Sequence, residues 1–379
     1  MKKNIAFLLA AAVAFSVAAK PVGETRTPAS DGRITYVGRV LAEGDSVSFD
    51  WTGTTVKIRF TGDYLALRLS DTDKNYYNLW IDRDADESAD RIVEVRGTDT
   101  LIVLCDKAFL SERYGRKIPA VHTAVFQKRT EGEQGKTTVH EVVTKGELLQ
   151  ADGIKERVIE FVGDSYTCGY GSENSVASDP FTKETENVNK AYAAIVCRYF
   201  DADAIIVAHS GMGIARNYNS KFQGYCMPER YLNVFDDSLE KVPDAPAWSP
   251  EMSPAVPAMT VVYLGANDFS VSLQPSRTAF VSQYIKLLKE IKANYGEDHP
   301  ILCVGTKNDP GIYEYVRAAV TSCGLKRVHC LGCTDALFDK TELGASHHPN
   351  YRAQIKTAYA IIPYISTLTG WEINEKPVK

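Results

Sequence analysis

Basic charge is in short supply in this chain. Lys and Arg number 43 against 48 Asp and Glu, a formal net charge of −5, which argues against a nucleic-acid partner or an anionic membrane surface. Long apolar runs are also missing. One apolar stretch, Ile5 to Ala19, follows Lys2-Lys3 and ends in Val17-Ala18-Ala19. It falls short of the ~20 residues that span a bilayer. Its basic start and small residues before a cut predict an export signal over 1–19, and hence a secreted or periplasmic protein with no membrane insertion once the signal is removed. Histidine is scarce, at seven residues, and no histidine–carboxylate cluster stands at ligand spacing, so the sequence predicts no metal and no cofactor. The eight cysteines are irregularly spaced and make no disulfide framework. Cys330 and Cys333 have CxxC spacing without a second such pair, which favours buried thiols over zinc. No internal repeat and no low-complexity tract interrupts the chain.

What is present is an ordinary globular composition, 44% apolar and 24% charged. Between residues 33 and 148, short alternating segments recur at Ile34–Val40, Ser46–Trp51, Thr55–Phe60, Leu65–Leu69, Tyr76–Ile81, Arg91–Val95, Thr100–Leu104, Ala120–Gln127 and Thr138–Val143. Turn residues such as Glu43-Gly44-Asp45 and Thr61-Gly62-Asp63 punctuate them. That pattern predicts a β-sandwich or jelly roll over 20–150. The run Asp82 to Glu87 reads as a solvated charged turn. It lacks the glycine and distal glutamate of a calcium loop.

From 158 the pattern changes. Strand-like runs at Val158–Val162, Ala204–Ala208, Met259–Leu264, Pro300–Gly305 and Arg327–Leu331 alternate with helical ones at Ala191–Phe200, Arg277–Asn294, Gly311–Cys323 and Tyr351–Leu368. This alternation predicts an α/β domain over 151–379, with a parallel five-stranded sheet between two helical layers. The loop from Asn217 to Pro257 has no evident element, but its tyrosines, Trp248 and prolines suggest an ordered cleft wall.

Four short blocks carry the chemistry. Gly163-Asp164-Ser165 ends the first predicted parallel strand, with Gly163 read as the residue that lets the backbone turn. Ser210-Gly211-Met212-Gly213 follows the second strand and Gly265-Ala266-Asn267-Asp268 the third. His347-His348-Pro349 precedes the last helix. Loops at one sheet edge would bring all four together. A serine needs a base, and His348 is the candidate. The Ser165 and Gly211 N–H groups and the Asn267 amide are candidate oxyanion donors. Each block has a plainer reading: a turn serine, a turn glycine, a loop-capping asparagine. His347 is either a cleft-wall residue or a rival to His348. Tyr218 and Trp248 are candidate sugar contacts, with ordinary packing as the alternative. Asp164 and Asp268 read as loop-orienting groups.

The order and context of the blocks resemble the SGNH (GDSL-type) hydrolases, of flavodoxin-like three-layer fold. The preceding β-domain, with Gly38-Arg39, Phe49-x-Trp51 and Tyr76-Tyr77-x-Leu79-Trp80-Ile81-Asp82, is similar to that of carbohydrate esterase family 2. The resemblance implies a serine esterase that removes acetyl groups from sugar hydroxyls on xylan-type polymers or at O6 of hexoses. It also implies a substrate contact at Tyr218. The chain departs from the usual pattern at the acid. Ser346 and Ala345 stand where an aspartate is expected two or three residues before the histidine. The resemblance allows a backbone carbonyl in that place, and Glu342 is the nearest carboxylate that could substitute. A carbohydrate-binding protein with a weakened site, or a lipase or thioesterase, are the other readings left open.

Overall fold

The computed structural model describes residues 23–219, 225–236, 246–253, 255–270, 274–306, 310–333 and 339–379. The predicted export signal lies outside them. The strands of the first domain run in chain order β1 (Thr25–Pro28), β2 (Thr35–Val37), β3 (Leu41–Glu43), β4 (Ser46–Phe49), β5 (Thr55–Thr61), β6 (Leu65–Asp71), β7 (Lys74–Ile81), β8 (Arg91–Arg96), β9 (Thr100–Cys105), β10 (Val121–Lys128), β11 (Thr137–Thr144) and β12 (Leu148–Leu149). One antiparallel sheet has the order β3-β4-β11-β6-β9, with β1 against β11. The other has β12-β5-β10-β7-β8, with β2 against β5. Alternation drives the sandwich: Val56, Ile58 and Phe60 are buried while Arg59 between them is exposed. In the core Tyr77 and Phe126 stack with centroids 4.2 Å apart, beside Leu67, Leu69 and Val139.

Each of the nine predicted β-segments contains a strand. Of the three unpredicted strands, β1 and β3 are short and mostly exposed and β12 is two residues long, so none offers an alternating signal. Helix α1 (Lys107–Tyr114) was also unpredicted. It buries only Leu110 and is started by Asp106, whose carboxylate accepts the Phe109 N–H at 2.8 Å. Asp82 heads no simple solvated turn. Its carboxylate accepts from Tyr114 Oη at 2.8 Å and the Thr123 N–H at 2.8 Å, and meets His122 Nδ1 at 2.7 Å.

The second domain has five parallel strands, β13 (Val158–Gly163), β14 (Asp203–Ala208), β15 (Met259–Tyr263), β16 (Ile301–Thr306) and β17 (Val328–Cys333), in the order β14-β13-β15-β16-β17. Renumbered from the first of these strands, that is the doubly wound order 2-1-3-4-5, whose topological switch point lies between the first and third. Its helices are α2 (Ser165–Cys168), α3 (Tyr192–Phe200), α4 (Met227–Arg230), α5 (Arg277–Tyr295), α6 (Pro310–Ser322) and α7 (Tyr351–Thr369). Successive residues of β13 feed opposite cores. Ile159 and Phe161 pack with Tyr192 of α3 and Ile361 of α7. Val158 and Val162 pack with Leu287 of α5 and Val316 of α6. The same alternation explains the CxxC pair. Cys330 and Cys333 lie three apart on β17 and face different cores, so they cannot chelate together.

A buried ion pair joins the domains. Arg39, after β2 and 1% exposed, sends its guanidinium to Glu160 of β13 at 3.3 Å and to the Asn233 carbonyl at 3.1 Å. It also donates to the Tyr231 carbonyl. Glu160 further accepts from Tyr231 Oη at 3.0 Å, Tyr295 Oη at 2.9 Å and Thr260 Oγ1 at 3.0 Å. Trp248 covers the guanidinium, with its ring centroid 3.8 Å from the Arg39 carbon, and is 3% exposed. The expectation of Trp248 as a sugar contact is therefore corrected: its indole face is spent on Arg39. The described residues of the loop after Asn217 hold α4 and an Asn233–Ala247 bridge, and Tyr231, Asn233 and Val234 bind Arg39 and Trp51 at the domain junction rather than walling a cleft. Residues 220–224, 237–245 and 254 of that loop lie outside the described set.

Candidate active site

β13 ends in Gly163, and α2 begins two residues later. Asp164 caps α2 by accepting the Tyr166 N–H at 3.1 Å, which sets Ser165 as the first helical residue at the sheet edge. Gly163 is not among the glycines with positive φ, so its part is not one of backbone freedom. It is required because a Cβ there would lie 2.0 Å from Thr167 Oγ1. Burial pushes the Asp164 carboxyl up to about 7.

The histidine arrives on a tightly bound loop. Ser346 (φ 52) and His347 (φ 59) are both left-handed, a conformation that costs non-glycine residues on the order of 1–3 kcal/mol each. The segment after α2 holds it there. Asp179 O accepts the Ser346 N–H at 2.8 Å, Ala177 O accepts the His347 N–H at 3.0 Å, and the Phe181 N–H donates to Ser346 Oγ at 3.1 Å. Gly171, at φ 65, permits the approach, since a Cβ there would lie 2.7 Å from Ala345 O. The result is a relay. Ser346 O lies 2.9 Å from His348 Nδ1, and His348 Nε2 lies 2.9 Å from Ser165 Oγ. A carbonyl only accepts, so Nδ1 carries the proton and Nε2 is left bare to accept from the serine hydroxyl. Burial pushes the His348 pKa below the ordinary 6.5, against the opposing effects of the Ser346 carbonyl and the Glu131 charge. The ring packs at 4.5 Å from Tyr170, which stacks on Phe181 at 3.6 Å.

Glu342 does not reach this histidine. It caps the turn at Asp339 and pairs with Lys356 at 2.5 Å. Its expected part as a substitute acid is corrected, and Ser346 O fills the position. Glu342→Gln should accordingly cost less than about tenfold in kcat, roughly 1.4 kcal/mol of barrier. A thousandfold loss in a chain with unchanged circular dichroism would restore Glu342 to the mechanism. His347 is exposed and gives its backbone N–H to Ala177 O, and it is the neighbouring imidazole that meets Ser165.

The other two blocks flank Ser165, one at the end of β14 and one at the end of β15, the two neighbours of β13. Gly211 has φ 79, and its carbonyl accepts the Tyr218 N–H at 2.7 Å. Tyr218 is 63% exposed beside it. Asp268 accepts the N–H groups of Ile214, Ala215 and Arg216 at 2.8, 2.7 and 2.9 Å, which shapes the loop that follows Gly211. The Asn267 amide donates to Met212 O at 2.9 Å and to Asp164 Oδ2 at 3.2 Å. Both of its hydrogens are thus engaged, and a part in holding an oxyanion requires it to share the longer bond. Among the described residues, two buried clusters gather metal-type donors, Glu131–Cys168–Glu186 and Glu131–His209–Asp236. Two cations stand beside them: Arg230 pairs with Asp236 at 3.2 Å, and Lys128 Nζ donates to the Glu131 backbone carbonyl at 2.9 Å. Sequence reasoning missed this network, because Glu131 and His209 sit in no motif.

Residues 36–151 match the family model described as carbohydrate esterase 2 N-terminal, and residues 161–369 match the GDSL-like lipase/acylhydrolase family. A cellulase/esterase CelE of Acetivibrio thermocellus is 31% identical over 285 residues, or 74% of this chain. The chain spans only 32% of that relative's length. An acetylxylan esterase / glucomannan deacetylase of Cellvibrio japonicus is 27% identical over 309 residues, covering 75% of this chain and 77% of the relative. A solved family two carbohydrate esterase from Clostridium thermocellum, in complex with cellohexaose, has a TM-score of 0.77 at 28% identity, covering 89% of this chain and 100% of that one. The family two esterase structure from Cellvibrio japonicus shares the fold, with a TM-score of 0.78 at 19% identity over 92% of this chain and 99% of that one. The chain belongs to the GDSL-like lipase/acylhydrolase family, in the form that carries a carbohydrate esterase 2 N-terminal domain, and is a carboxylic ester hydrolase.

Proposed function

We propose that this protein is an exported serine esterase that removes O-acetyl groups from plant-type polysaccharides or oligosaccharides through an acetyl-enzyme. The observation that carries the reading is the relay from Ser346 O through His348 to Ser165, at 2.9 Å on each side. Ser165 Oγ attacks the acetyl carbonyl carbon while His348 Nε2 takes the hydroxyl proton. The carbonyl π-electrons move to oxygen. The N–H groups of Ser165 and Gly211 hold that oxyanion, together with the Asn267 amide when it gives up Asp164. The C–O bond to the sugar then breaks, and the alkoxide takes the proton from His348. Water repeats the cycle on the acetyl-serine and releases acetate. Ser346 O does what an aspartate does in a full triad: it fixes the tautomer and the ring orientation.

Acetylated carbohydrate is favoured over lipid by the tyrosine-rich surround of Ser165 and by the acetylxylan esterase and glucomannan deacetylase activity of a relative. The test is a panel of aryl acetate, aryl octanoate, acetylated xylan and acetylated glucomannan. Acetyl esters should turn over far faster than octanoyl esters, with acetate released from at least one polymer. A preference for octanoate would replace this reading with a lipase or thioesterase. No turnover of any ester would replace it with carbohydrate binding alone.

The pH dependence follows from His348. The base must be neutral, so kcat/KM should rise with pH through a single ionisation and then level. Burial lowers the pKa, so the midpoint should lie below the 6.5 of an ordinary imidazole. A midpoint above 6.5, read with an uncharged aryl acetate, would point instead to a charged partner for the ring.

A further inference from the structure

The first domain reaches into the catalytic centre. After β10 the chain makes a short turn at Gly132–Gln134, and the preceding Glu131 is fully buried. Glu131 Oε2 accepts the Ser210 N–H at 2.6 Å and the Cys168 thiol of α2 at 3.6 Å. Its own N–H donates to Glu186 at 3.3 Å. Gly132 then presses on Asp236, where a Cβ would lie 2.4 Å from the Asp236 Cβ. Asp236 in turn meets His209 Nδ1 at 2.8 Å. One turn of the β-domain therefore grips both His209 and Ser210, the two residues that lead into Gly211. On the far side the Tyr218 N–H holds the Gly211 carbonyl. Among the described residues, Glu131 Oε1 and Glu186 Oε1 are buried without a hydrogen-bond partner. Burial and the Glu131 charge push Glu186 well above its ordinary range. A carboxylate that accepts a backbone N–H makes a stronger bond than a neutral acceptor does.

We propose that Glu131 is a positioning residue for the esterase reaction: its carboxylate fixes the backbone at Ser210, and so aims the Gly211 N–H at the place where the oxyanion forms. This rests on the oxyanion role given to Gly211 above. The physical case is one of alignment. A donor contributes to the transition state only if it points to the oxyanion without reorganising, and Gly211, with its left-handed φ and no side chain, has little of its own to hold it. A charge-assisted bond one residue upstream supplies that hold.

The test compares Glu131→Ala, Glu131→Gln and Ser165→Ala in the full chain on aryl acetate. Glu131→Ala should lower kcat about a hundredfold with KM little changed, because the loss falls on the transition state alone. Glu131→Gln keeps an acceptor but not the charge, and should lose about tenfold. Its acid limb should also move to lower pH, because the charge that favours the His348 imidazolium is gone. A site that had merely loosened and admitted water would instead move that limb up toward 6.5, since burial is what depresses it. A kcat for Glu131→Ala within about threefold of the parent, with Ser165→Ala inactive, overturns the proposal alone. If Glu131→Ala does not fold, an unchanged kcat and an unmoved acid limb in Glu131→Gln overturn it. If Ser165→Ala is itself active, the serine mechanism falls, and this proposal with it.

Discussion

Ser165→Ala should abolish aryl acetate hydrolysis, by about 10⁴-fold or more, while leaving the melting temperature unchanged. The size follows from the relay. With Oγ removed, His348 Nε2 has no hydroxyl to deprotonate, and only the oxyanion donors and substrate binding remain. The fold is spared because the strand end is set by the Asp164 cap and by Gly163 against Thr167, neither of which uses the serine hydroxyl. His348→Ala should fall as far. His347→Ala should fall much less, since the exposed His347 holds its neighbours through its backbone. Initial rates paired with thermal melts decide the matter. Activity within about tenfold of the parent in Ser165→Ala would sink the nucleophile assignment.

Glu160→Ala should be the most destabilising single change, at about 3–5 kcal/mol. It strands the Arg39 guanidinium in a site 1% exposed, and leaves three hydroxyls, on Tyr231, Tyr295 and Thr260, without their shared acceptor. Arg39→Ala should cost a similar amount from the other side of the junction, with the added loss of the Trp248 stack. Urea unfolding followed by both tryptophan fluorescence and far-UV dichroism should give one coincident transition, shifted in both variants. Losses under about 1 kcal/mol would mean that the pair is solvated and that each domain stands alone.

Much of this was legible in the sequence, for identifiable reasons. Parallel strands buried on both faces give continuous apolar runs such as Val158-Ile159-Glu160-Phe161-Val162, and the turn chemistry at their ends locates Ser165, Gly211 and Asn267. The one charged residue in that run, Glu160, was the visible trace of the domain junction, but its partner lies 121 residues away. No periodicity encodes such a pairing. The carbonyl in the acid's place was anticipated only through the family resemblance, since the residues themselves do not signal it. A backbone carbonyl is present at every residue, so its use at Ser346 depends on φ angles that nothing in Ala345-Ser346-His347 signals. Trp248 was misread because an aromatic in a loop looks the same in sequence whether it meets a sugar or a guanidinium. Glu131 was invisible because its function depends on a contact with the other domain.

The left-handed pair at Ser346 and His347 has a consequence for directed evolution. In a full triad, a side chain holds the imidazole and can be exchanged by one codon change. Here two main-chain links, to Ala177 and Asp179, and one from Phe181 to the Ser346 hydroxyl hold the loop, and no point substitution removes a main-chain oxygen. A substitution at Ser346 should therefore cost only the Phe181 link, with glycine offsetting that loss by relieving the torsional cost. The vulnerable feature is length. An insertion or deletion between 174 and 181 shifts the register of all three links together, and would silence the enzyme without touching any residue that meets the substrate.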